Sequence, residues 1–131
     1  MQKLLITYFI VLAATISTFA GTQFIITTNL DKDKMPVDNL SEIPFLKDHE
    51  YILYLYNDDD KAFDVNKVYF EINVYNESQD KYLLETVYTT NTEKDWGFCY
   101  KGIYFNVPLK LKIRAYTDKE ELETRYINIV Q

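Results

Sequence analysis

The chain has 131 residues, 20 acidic against 14 basic for a formal net charge of -6, and a single cysteine. That length supports one domain with a real core and is too short for two. The acidity argues against nucleic acid or an anionic membrane surface as partner, and one thiol excludes an internal disulfide framework.

Met1–Leu5 carries Lys3 and is followed by an apolar-to-hydroxyl run that becomes smaller and more polar towards Ala20. Thr18 and Ala20 fill the small-residue slots of a signal peptide, so residues 1–20 are expected to be cleaved at Ala20-Gly21. The alternative is a membrane anchor. The run is near the lower limit for a spanning helix and lacks a basic stop-transfer cluster, which favours cleavage and no stable membrane insertion afterwards. Removing Lys3 makes the remaining chain, 21–131, one unit more negative. The expected location is secreted, extracellular or periplasmic.

Thr22–Asn29 reads as the first strand, with Phe24 and Ile26 alternating against Ile25. Leu30–Leu46 is irregular, because Pro36 and Pro44 interrupt any long ladder or helix. His49–Asn57 carries Tyr51, Leu53 and Leu55 on one face and Ile52, Tyr54 and Tyr56 on the other, which suits a strand central in its sheet. After the acidic turn Asp58–Asp64 comes Lys67–Asn76, which has the form of a half-buried strand. Val68, Phe70, Ile72 and Val74 form its oily side; Tyr69, Glu71, Asn73 and Tyr75 form the other.

Asn76–Asp80 is a polar hairpin turn, and Lys81–Thr90 returns as a strand. Strict alternation there groups Leu83, Glu85, Val87 and Thr89 against Tyr82, Leu84, Thr86 and Tyr88. Trp96–Tyr100 and Ile103–Val107 read as two short strands, or one bent strand, interrupted at Lys101-Gly102. In Pro108–Thr117, Leu109, Leu111, Ile113 and Ala115 face inward and Lys110, Lys112, Arg114 and Tyr116 outward. Leu122–Gln131 closes the chain, with Arg125, Ile127 and Ile129 on one face. The few glycines and prolines leave the turns to Asn and Asp, while 12 tyrosines and eight phenylalanines supply strand-compatible bulk. Together these segments predict an all-β fold, a two-sheet antiparallel β-sandwich of immunoglobulin/fibronectin-like type, with a small closed β-barrel as the alternative.

Four groups of residues are candidates for chemistry. Asp58, Asp59, Asp60 and Asp64 cluster carboxylates on one loop and could form a weak calcium site, but interleaved Lys61 and Lys67, and the lack of EF-hand spacing, favour a solvated turn. Asp31 and Asp33 form a second acidic turn with the same two readings. His49, the sole histidine, would have to serve any His-based nucleophile among Cys99, Ser41 and Ser78, none of which has an activating context. One His and one Cys are too few for a structural zinc site. Glu71 and Glu85 are the strand acids that a small extracellular hydrolase would use as a carboxylate pair.

Trp96, Tyr100 and Tyr104 make the densest aromatic patch, either a platform for a sugar ring or protein partner or a core plug of Trp96 and Phe98 shaped by Gly97 and Gly102. Cys99 within it is either buried or free to join another chain. Tyr69, Tyr75 and Tyr116 form a second aromatic surface if their strands align, beside Lys110, Lys112 and Arg114. Asn39 and Asn76 fit the glycosylation acceptor should the source be eukaryotic. The expected function is a secreted non-catalytic binding module with a protein or glycan partner and no resident cofactor. A calcium-dependent module and a small hydrolase are the alternatives.

Overall fold

The computed structural model describes residues 21–44, 49–58, 61–105 and 107–130. The expected leader, residues 1–20, lies outside them, as do Asp59 and Asp60. The eight strands are β1 (Thr22–Thr27), β2 (Glu42–Pro44), β3 (Glu50–Asn57), β4 (Lys67–Asn76), β5 (Lys81–Asn91), β6 (Phe98–Tyr104), β7 (Lys110–Tyr116) and β8 (Glu121–Val130). They form a three-stranded sheet in the order β1-β3-β6 and a five-stranded sheet in the order β2-β8-β7-β4-β5. Every pairing is antiparallel except the short β2, which runs parallel to β8 at the sheet edge. The two sheets do not close into a barrel.

The inner faces follow from alternation. Phe24 and Ile26 of β1, and Tyr51, Leu53 and Leu55 of β3, meet Val68, Phe70 and Ile72 of β4 and Leu111, Ile113 and Ala115 of β7, all buried. The Phe24 and Phe70 rings, from opposite sheets, lie 5.7 Å apart. β3 is central in its sheet and β4 occupies Lys67–Asn76 as alternation predicts.

Two local features differ from the sequence expectation. In the β4–β5 ladder Ile72 pairs with Thr86 but Asn73 pairs with Leu84, leaving Glu85 as the extra residue of a β-bulge. The extra residue shifts the parity of everything beyond it. Tyr88 therefore packs against the core, and Val87, 40% exposed, joins Leu84, 62% exposed, on the outside. The grouping of Leu83 with Val87 is thus corrected. The second departure is at Lys101-Gly102, where no interruption occurs: β6 pairs with β3 without a break from Phe98 to Tyr104. No described glycine has positive φ, so neither Gly97 nor Gly102 forms a left-handed corner; Lys34 (φ 66°), Asp64 (φ 60°) and Asp80 (φ 52°) make the sharp turns instead.

The open sides of the sandwich are closed by polar side chains on core-facing positions. Arg125 is paired with Ile113 in the ladder. Its guanidinium reaches across to the other sheet, donating from Nη1 to the Phe24 carbonyl (2.8 Å) and Asn39 Oδ1 (2.9 Å) and from Nη2 to the Leu40 carbonyl (2.8 Å). On the opposite side Thr90 Oγ1 donates to the Tyr100 carbonyl at 3.0 Å, and the Lys101 ammonium lies 5.9 Å from the Tyr88 ring. Replacing Arg125 with Ala strands two part-buried carbonyls, so we expect a loss of about 2–3 kcal/mol in stability, measured by urea denaturation. A change within 0.5 kcal/mol, taken as about the size of an ordinary surface substitution, would refute the clamp.

Candidate functional site

Tyr104 apart, the expected binding residues divide between the outer faces of the two sheets. On the three-stranded sheet, Trp96 precedes β6 and its backbone is braced from both sides. Its N–H donates to the Glu93 carbonyl (3.0 Å), and its carbonyl accepts from Phe63 (2.9 Å); the next carbonyl, of Gly97, accepts from Asn57 (2.8 Å). The indole is 42% exposed and stacks on Phe98 at 5.5 Å and 13°. Phe98 in turn lies 6.2 Å from Tyr54, and Tyr54 lies 6.1 Å from Tyr100 at an interplanar angle of 8°. The core-plug reading of Trp96 and Phe98 is therefore corrected: they stand on the outer face, while Cys99 between Phe98 and Tyr100 points into the core. Tyr104 is separated from this stack by Gly102 and lines the gap between the sheets with Glu85 instead.

Tyr54 faces outward yet is buried, because the 31–36 turn folds over it. Its hydroxyl donates to the Lys34 carbonyl at 2.8 Å. The turn is held by Asp31, whose Oδ1 accepts from the Asp33 and Met35 backbone N–H groups at 2.8 and 3.0 Å. This brings Lys34 to the aromatic stack. A concavity of about 430 Å³ opens there, lined by Lys34, Thr90, Asn91, Trp96, Phe98 and Tyr100. Lys34, Asn91 and Thr90 were not among the sequence candidates, since only the turn and the β5–β6 seam bring them to Trp96. Phe98 had a signal, because period-2 alternation puts it on the same side as Tyr100.

On the five-stranded sheet, Tyr69 and Tyr116 are direct cross-strand partners with rings stacked at 5.2 Å. Arg114 lies 4.3 Å from the Tyr116 ring and makes a two-pronged pair with Glu71, Nη2 to Oε2 at 2.8 Å and Nε to Oε1 at 3.2 Å. Asn73 Nδ2 donates to the same Glu71 Oε1 at 3.0 Å. Tyr75, Tyr82 and Tyr126 form an edge-to-face chain at 5.3 and 5.6 Å, with Lys110 5.6 Å from the Tyr75 ring. Tyr75 also donates a short hydrogen bond to Asp80. The expected alignment of Tyr69, Tyr75 and Tyr116 beside the β7 cations is present in the geometry.

The remaining candidates are dispersed. Asp58 and Asp64 line different concavities, and Asp64 pairs with Lys119 at 3.3 Å. Among the described residues no group of three or more His, Cys, Asp or Glu is placed to hold a metal ion. Glu71 belongs to the outer face, whereas Glu85 lies at the β5 bulge beside the inter-sheet gap, so they do not converge on a cleft. His49 is 4.9 Å from the Tyr51 ring. Burial pushes the Cys99 thiol up to about 12, which keeps it protonated and unfit as a nucleophile at neutral pH. Ser78 donates to Asn76 Oδ1 at 2.8 Å, and Asn39 accepts from Arg125, so both acceptor asparagines take part in the fold's own hydrogen bonds. Among the described residues no helix is long and apolar enough to cross a membrane.

Hydrogen bonds from Arg114 and then Asn73 hold the Glu71 carboxyl below its ordinary value of 4.5. A depressed carboxyl contributes stability that is complete above the unfolded value and is lost as pH falls through the folded one. Urea midpoints should therefore drop as pH is lowered below about 4.5. A Glu71→Gln variant should show a flatter profile over that window. Identical profiles for the two proteins would contradict the assignment.

No family model matches this chain, and neither does any curated protein sequence. Among solved structures, the fold is similar to that of an immunoglobulin-like protein from Pseudomonas aeruginosa, with a TM-score of 0.52 and 6% identity, covering 82% of this chain and 90% of that one. A β-glucosidase from Listeria innocua in complex with isofagomine aligns at a TM-score of 0.39 and 9% identity over 84% of this chain and 16% of its own, a likeness too slight to carry an argument. The first likeness and the sheet topology together make the fold an immunoglobulin-like β-sandwich.

Proposed function

We propose that the protein is exported from the cell after cleavage at Ala20-Gly21 and acts as a non-catalytic module that binds a glycan through the aromatic face of the three-stranded sheet. The observation carrying this reading is the placement of Trp96: large, 42% exposed, stacked flat on Phe98, and beside a concavity with polar side chains at its rim. A flat ring presents a negative face to the weakly positive C–H groups of a pyranose. Braced strands and a ring already stacked on its neighbour lose little freedom on binding, which favours affinity from a small contact. The dispersal of Glu71, Glu85, His49 and Cys99 supports a binding role over catalysis.

A second reading, contact with a protein through the five-stranded sheet, is favoured by the Tyr75–Tyr82–Tyr126 chain with Tyr126 exposed at its end, since tyrosine is enriched at protein interfaces. One experiment separates the two. A panel of immobilised glycans is screened with the mature protein, and Trp96→Ala and Tyr126→Ala variants are then titrated against the ligand found. We expect Trp96→Ala to keep the wild-type fold by circular dichroism and to bind at least about tenfold more weakly, and Tyr126→Ala to bind normally. The glycan reading fails if no glycan binds or if Trp96→Ala binds like wild type. The export part is checked by the intact mass of the protein recovered outside the cell, which should begin at Gly21.

A further inference from the structure

We infer that the concavity beside Trp96 takes an acidic sugar, with Lys34 holding the carboxylate while the aromatic stack carries the ring. The inference rests on the glycan reading above and adds to it the charge of the ligand.

Lys34 is an unusual residue for its place. It adopts φ 66°, a left-handed conformation that Gly or Asn would enter with less strain. The turn nonetheless holds it there. Its N–H donates to the Asp31 carbonyl at 3.0 Å and its carbonyl accepts from the buried Tyr54 hydroxyl at 2.8 Å, so the backbone from which the side chain projects is tied to the aromatic stack itself. Its ammonium has no ion pair and no hydrogen bond among the described residues.

The surroundings favour an anion. The chain as a whole carries a net charge of -6, yet no carboxylate is among the described residues lining this concavity. A concavity lined by a lysine and by no carboxylate is complementary to a negative group and disfavours cationic ligands. Of the two carboxylates that precede Lys34 in the turn, Asp33 and Asp31, neither lines the concavity, and Asp31 already accepts two backbone N–H groups that shape the turn.

The other lining groups match the rest of a sugar. The Asn91 amide offers a donor and an acceptor for ring hydroxyls. Thr90 Oγ1 spends its proton on the Tyr100 carbonyl and so presents only lone pairs outward. The volume of about 430 Å³ lies within the range of small-ligand pockets, roughly 300–1,000 Å³.

The test uses the mature protein, a soluble oligouronate with a carboxylate on every ring, and a neutral oligoglucoside of the same length, titrated calorimetrically at low and physiological salt. Lys34→Asn is the informative variant, because Asn removes the charge and suits the left-handed backbone. We expect the oligouronate to bind more tightly than the neutral oligomer, by a margin that shrinks with salt. Lys34→Asn should weaken oligouronate binding about 5- to 10-fold and leave the neutral oligomer unchanged. Equal affinity for both oligomers, or an unchanged preference in Lys34→Asn, overturns the acidic-sugar assignment while leaving glycan binding intact. Absence of binding by either oligomer, or binding of both that survives Trp96→Ala, overturns the glycan reading itself and this assignment with it.

Discussion

The structure depends on burial between two sheets that no covalent bond joins. The lone cysteine, Cys99, is inside the core, where it acts as a small apolar residue. The work that a cross-sheet disulfide does in many small exported domains falls instead on large side chains from both layers, with Phe24 against Phe70 spanning them. β4 and β7 each contribute three fully or nearly buried residues to this layer, and their pairing supplies the middle of the larger sheet. Every surface feature is mounted on that packed interior. The aromatic stack at Trp96 is held by strands whose other sides are Leu53, Leu55 and Cys99.

A sandwich of open sheets has two long flanks where core and water meet. Here each flank carries a long cation, Arg125 on one and Lys101 on the other. Arg125 and Lys101 occupy core-facing positions near the sheet flanks, where the Arg125 guanidinium meets backbone carbonyls and the Lys101 ammonium lies over the Tyr88 ring. The Arg125 contacts also tie down Asn39 and Leu40, in the segment that leads out of the turn carrying Lys34. Core packing, flank closure and the shape of the outer concavity are in this way one continuous structure.

Much of this was legible in the residues. The strand Lys67–Asn76 and the faces of Lys110–Tyr116 could be read from period two alone, because both strands lie inside their sheet with one face buried and one wet. The alignment of Tyr69 with Tyr116 was also visible as a possibility, since equal positions on adjacent strands meet when the register matches. The bulge at Glu85 was not, because nothing in the run Leu83–Val87 marks an inserted residue; only the partner strand reveals it. The site beside Trp96 was half legible. Its rings are adjacent in sequence, but Lys34 and Asn91 reach it through tertiary folding. Trp96 itself was ambiguous for a physical reason: a tryptophan following a polar loop has enough apolar area to serve equally well inside or outside.

The bulge has a meaning beyond the parity of β5. This strand ends the five-stranded sheet and carries two exposed apolar side chains, Leu84 and Val87, on either side of the extra residue. A straight edge of that kind is a template on which another copy's strand can add, and repetition of the step builds a fibril. Glu85 breaks the spacing of the free N–H and C=O groups midway and puts a charge at the break. The longest open ladder in the molecule is thereby divided into two short pieces. For a domain with no disulfide to hold it shut, that division is a safeguard against self-association written into a single inserted residue.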